Sequence, residues 1–179
     1  MQIDDGGWLI GVRRVASPNC DARPCAIAPS LLVIHGISLP PGQFDNGRIC
    51  ALFTNSLPAD ECIELHSLRV SAHLLIQRNG CLIQFVSFLD RAWHAGESSF
   101  GERTHCNDFS IGIELEGTDD IPYEPVQYRV LGDVSRTLMQ RWRGITKERI
   151  VGHSDIAPRR KTDPGPAFRW EQYFAALGA

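Results

Sequence analysis

The sequence predicts an α/β or mixed-sheet domain, and three observations carry that expectation. Leu31-Leu32-Val33-Ile34-His35 is a short apolar run of the kind a buried strand presents. Residues 110–117, Ser-Ile-Gly-Ile-Glu-Leu-Glu-Gly, alternate between apolar and other residues at the strand period of two. Between residues 124 and 143, Tyr128, Leu131, Val134, Leu138 and Trp142 recur at spacings of three and four, the mark of an amphipathic helix. Strands interleaved with helices define the class.

The remaining elements follow in chain order. Ser38-Leu39-Pro40-Pro41-Gly42 breaks the chain after the first strand. Residues 43–67, with Asn46-Gly47 and Asn55-Ser56-Leu57-Pro58, read as a long loop holding short helices. Residues 70–77 and 81–86 flank Arg78-Asn79-Gly80, and Asn-Gly between two such runs signals a hairpin. Pro125 suits the first turn of the long helix and Gly144 its end. Ile150-Val151 is one more short strand, and residues 167–177 form a final amphipathic helix through Phe168, Glu171, Phe174 and Leu177.

A chain of 179 residues fits one domain spanning 1–179, with its core from about 25 to 170. With 43% apolar and 22% charged residues it has the composition of an ordinary soluble globular protein, which excludes collagen-like, coiled-coil and disordered chains. A net charge of −3 gives no reason to expect nucleic acid or an anionic membrane as partner. No run approaches the roughly 20 apolar residues of a membrane span. Met1-Gln2-Ile3-Asp4-Asp5-Gly6-Gly7 carries acids where a secretory signal carries bases. The six cysteines, Cys20, Cys25, Cys50, Cys62, Cys81 and Cys106, are scattered without a CxxC pair, so each reads as a small buried hydrophobe with a reduced thiol. A cytoplasmic protein is the expectation.

The ionisable groups are informative through their place on the strands. His35 closes its apolar run and therefore lies at a strand's carboxyl end, where open α/β sheets hold ligands. On the second strand Ile111, Ile113 and Leu115 share one face, leaving Gly112, Glu114 and Glu116 on the other. That polar face either meets solvent or faces a site. His153 follows another short apolar run, and ten residues later a proline-rich loop carries Lys161 and Asp163. Extended backbone there points Lys161 and Asp163 the same way and Thr162 away. Two imidazoles and a carboxylate suit zinc, and three protein ligands leave a position open for water, as in a catalytic site. No local signature such as HExxH supports that set.

Five separate motifs in register supply what spacing does not. They are His35-Gly36-Ile37-Ser38-Leu39-Pro40-Pro41-Gly42, Leu68-Arg69-Val70-Ser71-Ala72-His73, Arg91-Ala92-Trp93-His94-Ala95-Gly96, residues 106–117, and Gly152-His153 through Asp155-Ile156-Ala157-Pro158 to Lys161-Thr162-Asp163-Pro164-Gly165-Pro166. From about Gly7 to the last helix the chain resembles the type 2 N-acetylmuramoyl-L-alanine amidase family, which also includes bacteriophage amidases and peptidoglycan recognition proteins. Within it the motifs closely resemble those of cytoplasmic enzymes acting on 1,6-anhydro-N-acetylmuramoyl peptides. The resemblance implies a single mixed central sheet flanked by helices, with one zinc ion at the strand ends. It implies His35, His153 and Asp163 as zinc ligands, Glu114 as general base and Lys161 as stabiliser of the transition state. Lys161 is one of two lysines beside sixteen arginines. The implied substrate is a muropeptide, cut at the amide between the muramoyl lactyl group and L-alanine during cell-wall recycling, by a monomer.

Arg69, His73, Trp93 and His94 sit in matched motifs and are candidates to line the substrate groove, Arg for a carboxylate and Trp for a sugar face. Two positions depart from the usual pattern: Gly36 stands where Asn is usual, and His105 where Arg is usual. His66 and His105 match no functional position and read as surface residues. Other classes remain open on the sequence. They are an exported amidase acting on intact peptidoglycan, a non-catalytic peptidoglycan-binding module, and a cysteine hydrolase built on Cys106 beside His105, a pair whose side chains point apart along a strand.

Overall fold

The computed structural model describes residues 1–58 and 67–178. Among the described residues there are ten short strands: β1 Arg13–Arg14, β2 Cys20–Ala22, β3 Leu31–Ile37, β4 Leu74–Ile76, β5 Leu82–Gln84, β6 Asp90–Ala92, β7 Ser99–Phe100, β8 Arg103–Thr104, β9 Ser110–Glu116 and β10 Ile150–Gly152. The described α-helices are α1 Arg48–Phe53, α2 Pro125–Arg141, α3 His153–Ile156 and α4 Trp170–Leu177. Six strands form one mixed sheet in the order β1-β5-β4-β9-β3-β10. Every pairing in it is parallel except the β4–β5 hairpin.

The two alternating faces of the central strands bury different things. Leu32 and Ile34 of β3, Ile111, Ile113 and Leu115 of β9, and Leu74 and Ile76 of β4 pack against Tyr128, Leu131, Val134 and Leu138 of α2 and Tyr173 and Leu177 of α4. Each such aliphatic side chain contributes roughly 1.5–3 kcal/mol when fully buried. On the opposite face Leu31 and Val33 pack with Ala95, Cys106, Phe109 and Ile156, while Leu75, Ile83 and Phe85 pack with Ile49, Leu52 and Phe53. The polar face of β9 lies between these two smaller clusters.

Helix α2 starts where its sequence says it should. Pro125 is its first residue, and the Gln127 side chain accepts a hydrogen bond from the Glu124 amide at 2.9 Å. Buried Gln127 also donates to the carbonyls of Ile76 and Glu116, tying the helix to the ends of β4 and β9. The helix ends at Arg141 rather than Gly144, because Trp142 turns extended and packs its ring on Phe88. Strand β3 likewise runs two residues past His35, where Gly36 and Ile37 pair with Leu115 and Glu116. The last helix begins at Trp170 instead of residue 167.

The expected long loop holds α1, and its part from residue 59 to 66, with Cys62 and His66, lies outside the described residues. Cys20, Cys25, Cys50, Cys81 and Cys106 are free thiols. Only Cys106 among them is fully buried; Cys25 and Cys81 are exposed, since they sit in a turn and next to the hairpin tip, away from either core face.

Candidate active site

Strand register assembles the centre. His35 pairs directly with Glu114 across β3 and β9, and Gly152 pairs with Ile34 across β10 and β3, so His153 follows beside His35. The loop after α3 returns to the same place. Its Asp163 carbonyl accepts from the Ser154 amide at 2.9 Å, and its Pro164 carbonyl accepts from the Tyr123 hydroxyl at 2.9 Å.

Three atoms converge there. His35 Nδ1 lies 3.0 Å from His153 Nδ1, and each nitrogen lies 3.1 Å from Asp163 Oδ2. The other nitrogen of each ring has a partner of its own: His153 Nε2 lies 3.2 Å from the Ala95 carbonyl, and His35 Nε2 lies 2.9 Å from His94 Nδ1. A carbonyl only accepts, so His153 carries its proton on Nε2 and turns a lone pair toward the cluster. Hydrogen bonds within the triangle do not account for all three short edges. Two Nδ1–H groups donating to Asp163 would confront each other at the imidazole–imidazole edge. A metal ion bound at about 2.0–2.2 Å in tetrahedral geometry sets its ligand atoms roughly 3.3–3.5 Å apart, close to the triangle seen here. The donor set therefore fits a divalent metal, and it is a group of such residues identified among those described.

Burial shapes the protonation states. Burial drops the His35 imidazole to about 4, so at neutral pH the ring is neutral, as a ligand must be. Burial, reinforced by the Asp163 charge, pushes the Glu114 carboxyl well above its ordinary value, with Lys161 opposing. Glu114 Oε2 is buried and has no hydrogen-bond partner among the described residues. A buried carboxyl with a raised pKa, beside this His–His–Asp cluster and unpartnered among the described residues, has the character of a group that exchanges protons. Lys161 is half-buried, and its charge acts on both His35 and Glu114.

The four candidate groove residues separate into two pairs. Arg69 is exposed and Trp93 half-buried; the two segments are joined by the Ser71 amide donating to the Trp93 carbonyl, and Trp93 Nε1 donates to Asp21 at 3.2 Å. His73 and His94 lie behind the centre instead. His73 is fully buried, accepts from the Gly112 amide, and stands beside Arg23, whose guanidinium donates to the carbonyls of Phe88, Asn107, Asp108 and Ser110. Burial lowers its imidazole to about 3. The His94 ring lies against Gly112, where a β-carbon would come within 2.5 Å of it. That contact explains why β9 carries glycine on this face.

Other sequence candidates find structural places. Glu116 accepts from the amides of Asp45 and Arg78 and so anchors two loops. Cys106 is enclosed with Leu31, Val33 and Phe109, and burial raises its thiol, which opposes a thiolate nucleophile; His105 is exposed. A cavity of about 620 Å³ is lined by Ser98, His105, Ala157, Arg159 and Arg160 among others, and by none of His35, Glu114, His153, Lys161 or Asp163. Arg160 donates to the Ala95 carbonyl that also contacts His153, which links cavity and triad.

Sequence reading passed over Tyr123. Its hydroxyl fills the space that a β-carbon at Gly36 would occupy and its ring the space of one at Gly117, and the same hydroxyl holds the segment that carries Asp163. Glycine at position 36 therefore matches this aromatic neighbour. Tyr123→Phe should leave the Pro164 carbonyl unpaired at a cost of about 1–3 kcal/mol. Differential scanning calorimetry should read this as a fall of roughly 2–10 °C in melting temperature.

Comparison with known proteins places the chain in a family. Residues 26–166 match the family described as N-acetylmuramoyl-L-alanine amidase. The chain belongs to that family. It is 52% identical over 178 residues to the 1,6-anhydro-N-acetylmuramyl-L-alanine amidase AmpD of Salmonella typhimurium, a match covering 98% of this chain and 95% of that one. A crystal structure of a selenomethionine AmpD derivative superposes with a TM-score of 0.95 at 50% identity, covering 99% of each chain. AmpDh3 from Pseudomonas aeruginosa in complex with anhydromuramic pentapeptide superposes with a TM-score of 0.66 at 28% identity, covering 98% of this chain and 66% of that one.

Proposed function

We propose that this chain is a zinc-dependent amidase that cuts the amide between 1,6-anhydro-N-acetylmuramic acid and L-alanine in muropeptides, as a cytoplasmic monomer in cell-wall recycling. One observation carries the reading: His35 Nδ1, His153 Nδ1 and Asp163 Oδ2 converge within 3.1 Å of one another beside a buried, unpartnered Glu114. The names of the relatives supply the bond, since the AmpD enzymes are called 1,6-anhydro-N-acetylmuramyl-L-alanine amidases and AmpDh3 holds an anhydromuramic pentapeptide.

His35, His153 and Asp163 would hold the zinc, which would supply Lewis acidity and lower the pKa of a water from about 15.7 to roughly 7. Glu114 takes the proton of the attacking water and returns it to the leaving nitrogen of L-alanine, help worth about 10²–10⁴-fold. Its buried carboxyl, free of hydrogen-bond partners among the described residues, can hold the proton between the two steps. Lys161 places a positive charge where the carbonyl oxygen becomes anionic. Arg69 and Trp93 offer a cation for a substrate carboxylate and an aromatic face for a sugar.

Mass spectrometry of 1,6-anhydro-N-acetylmuramoyl tripeptide incubated with the purified protein tests this, with intact peptidoglycan in parallel. Release of free tripeptide from the soluble substrate is expected. Release from intact wall alone would transfer the reading to an exported amidase, and no release from either would overturn it in favour of a binding module.

A further inference from the structure

The reaction outlined above uses neither His94 nor Ser110, yet both are buried and aligned with a proposed metal ligand. His35 Nε2 lies 2.9 Å from His94 Nδ1, and His94 Nε2 lies 3.1 Å from Ser110 Oγ. His94 is 9% exposed and Ser110 fully buried. The ring of His94 stands edge-on to that of His35, with centroids 5.0 Å apart and planes at 84°. Gly112 provides the slot for it, since a β-carbon there would meet the ring at 2.5 Å.

A row of neutral imidazoles has a direction. Each carries one proton, so the ring that donates at one nitrogen accepts at the other. If His94 donated from Nδ1, His35 would accept at Nε2 and carry its own proton on Nδ1, in the middle of the triad. In the opposite direction His35 donates from Nε2 to His94 Nδ1, and His94 donates from Nε2 to the Ser110 hydroxyl. Only that direction leaves the His35 Nδ1 lone pair facing His153 and Asp163. His153 obtains the same tautomer from the Ala95 carbonyl.

We propose that His94, backed by Ser110, is a positioning residue that holds His35 as its Nε2–H tautomer, with the ring plane fixed and Nδ1 open to a metal. This inference rests on the zinc reading and adds to it a residue that touches neither metal nor substrate. Partners of ligating imidazoles typically change metal affinity by about 10–100-fold when removed.

The test is the zinc affinity of the full chain, measured by competition with a chromophoric chelator, for wild type, His94→Leu, His94→Asn and Ser110→Ala. His94→Leu removes the acceptor and should weaken zinc by about 10–100-fold. His94→Asn places an amide oxygen where Nδ1 stood and should recover most of that loss. Ser110→Ala should weaken zinc by a smaller factor. In the loaded wild type, long-range proton–nitrogen NMR of labelled histidines should find the protons of both His35 and His94 on Nε2.

Zinc affinity in His94→Leu within about threefold of wild type, or a His35 proton on Nδ1 in the loaded protein, would overturn the proposal. A merely structural role would lower the metal-free melting temperature of both His94 variants and leave their zinc affinities alike. Should His94→Leu fail to fold, Ser110→Ala and the wild-type NMR spectrum decide. Wild-type protein that bound no zinc would instead overturn the function on which this inference rests.

Discussion

Glu114→Gln is expected to lower kcat by about 10²–10⁴-fold while zinc affinity stays near the wild-type value. The carboxyl pairs with His35 only through strand register and is not one of the three converging atoms, so its loss should leave the metal in place. The same variant should stabilise the metal-free protein. Burial raises the folded-state pKa of Glu114 above its ordinary 4.5, so between the two values the folded chain binds more protons than the unfolded chain. Stability from this group is then present at low pH and is lost as pH rises through that window. Glutamine carries no such loss. At pH 7 the metal-free variant should melt higher than wild type, a difference that vanishes below about pH 4. Full turnover in Glu114→Gln would remove the general-base role; an unchanged melting temperature would remove the buried-charge account.

Asp163→Ala is expected to lose metal and activity together. Zinc affinity should fall by more than about 100-fold, beyond the usual effect of residues that merely support a ligand. Turnover should drop to background, because the remaining imidazoles face each other with no carboxylate to complete the set. Calorimetry offers an independent reading. A metal present at about 100 times its dissociation constant stabilises the folded state by roughly 2.7 kcal/mol, or about 5–10 °C for a chain of this size. Wild type should show that rise on adding zinc, and Asp163→Ala should not. Tyr123→Phe, which keeps the ligand but loosens its loop, should fall between them.

How far the sequence discloses this site depends on the range of the contact. The alternation in β9 is local, so it reveals that Gly112 and Glu114 share a polar face; what occupies that face is set by register with β3 and by a loop that returns from residue 94. His94 therefore reads as a groove residue in the sequence and stands behind His35 in the fold. Ser110 gives no signal because a strand serine is unremarkable until a ring nitrogen lies 3.1 Å from its hydroxyl. Arg23 and Tyr123 were equally invisible: one satisfies carbonyls far along the chain, and the other fills space left by two glycines. The metal candidates were legible for a different reason. They lie in motifs whose spacing the family resemblance already ordered, whereas their geometry came from parallel pairing of β3 and β10. Helix α2 was legible from its apolar period, and its end was not, because Trp142 leaves the helix for a tertiary contact with Phe88.

The central claim is that His35, His153 and Asp163 hold the zinc on which amide cleavage depends. Its most direct test removes the metal with a chelator, returns zinc in measured increments, and follows tripeptide release together with X-ray absorption at the zinc edge. Release should cease on chelation and return in proportion to zinc, reaching its limit at one equivalent per chain. The absorption spectrum should contain two imidazole ligands with the remaining bonds to oxygen. Release that persists in the metal-free protein, or a zinc environment with sulfur or without two imidazoles, would contradict the account.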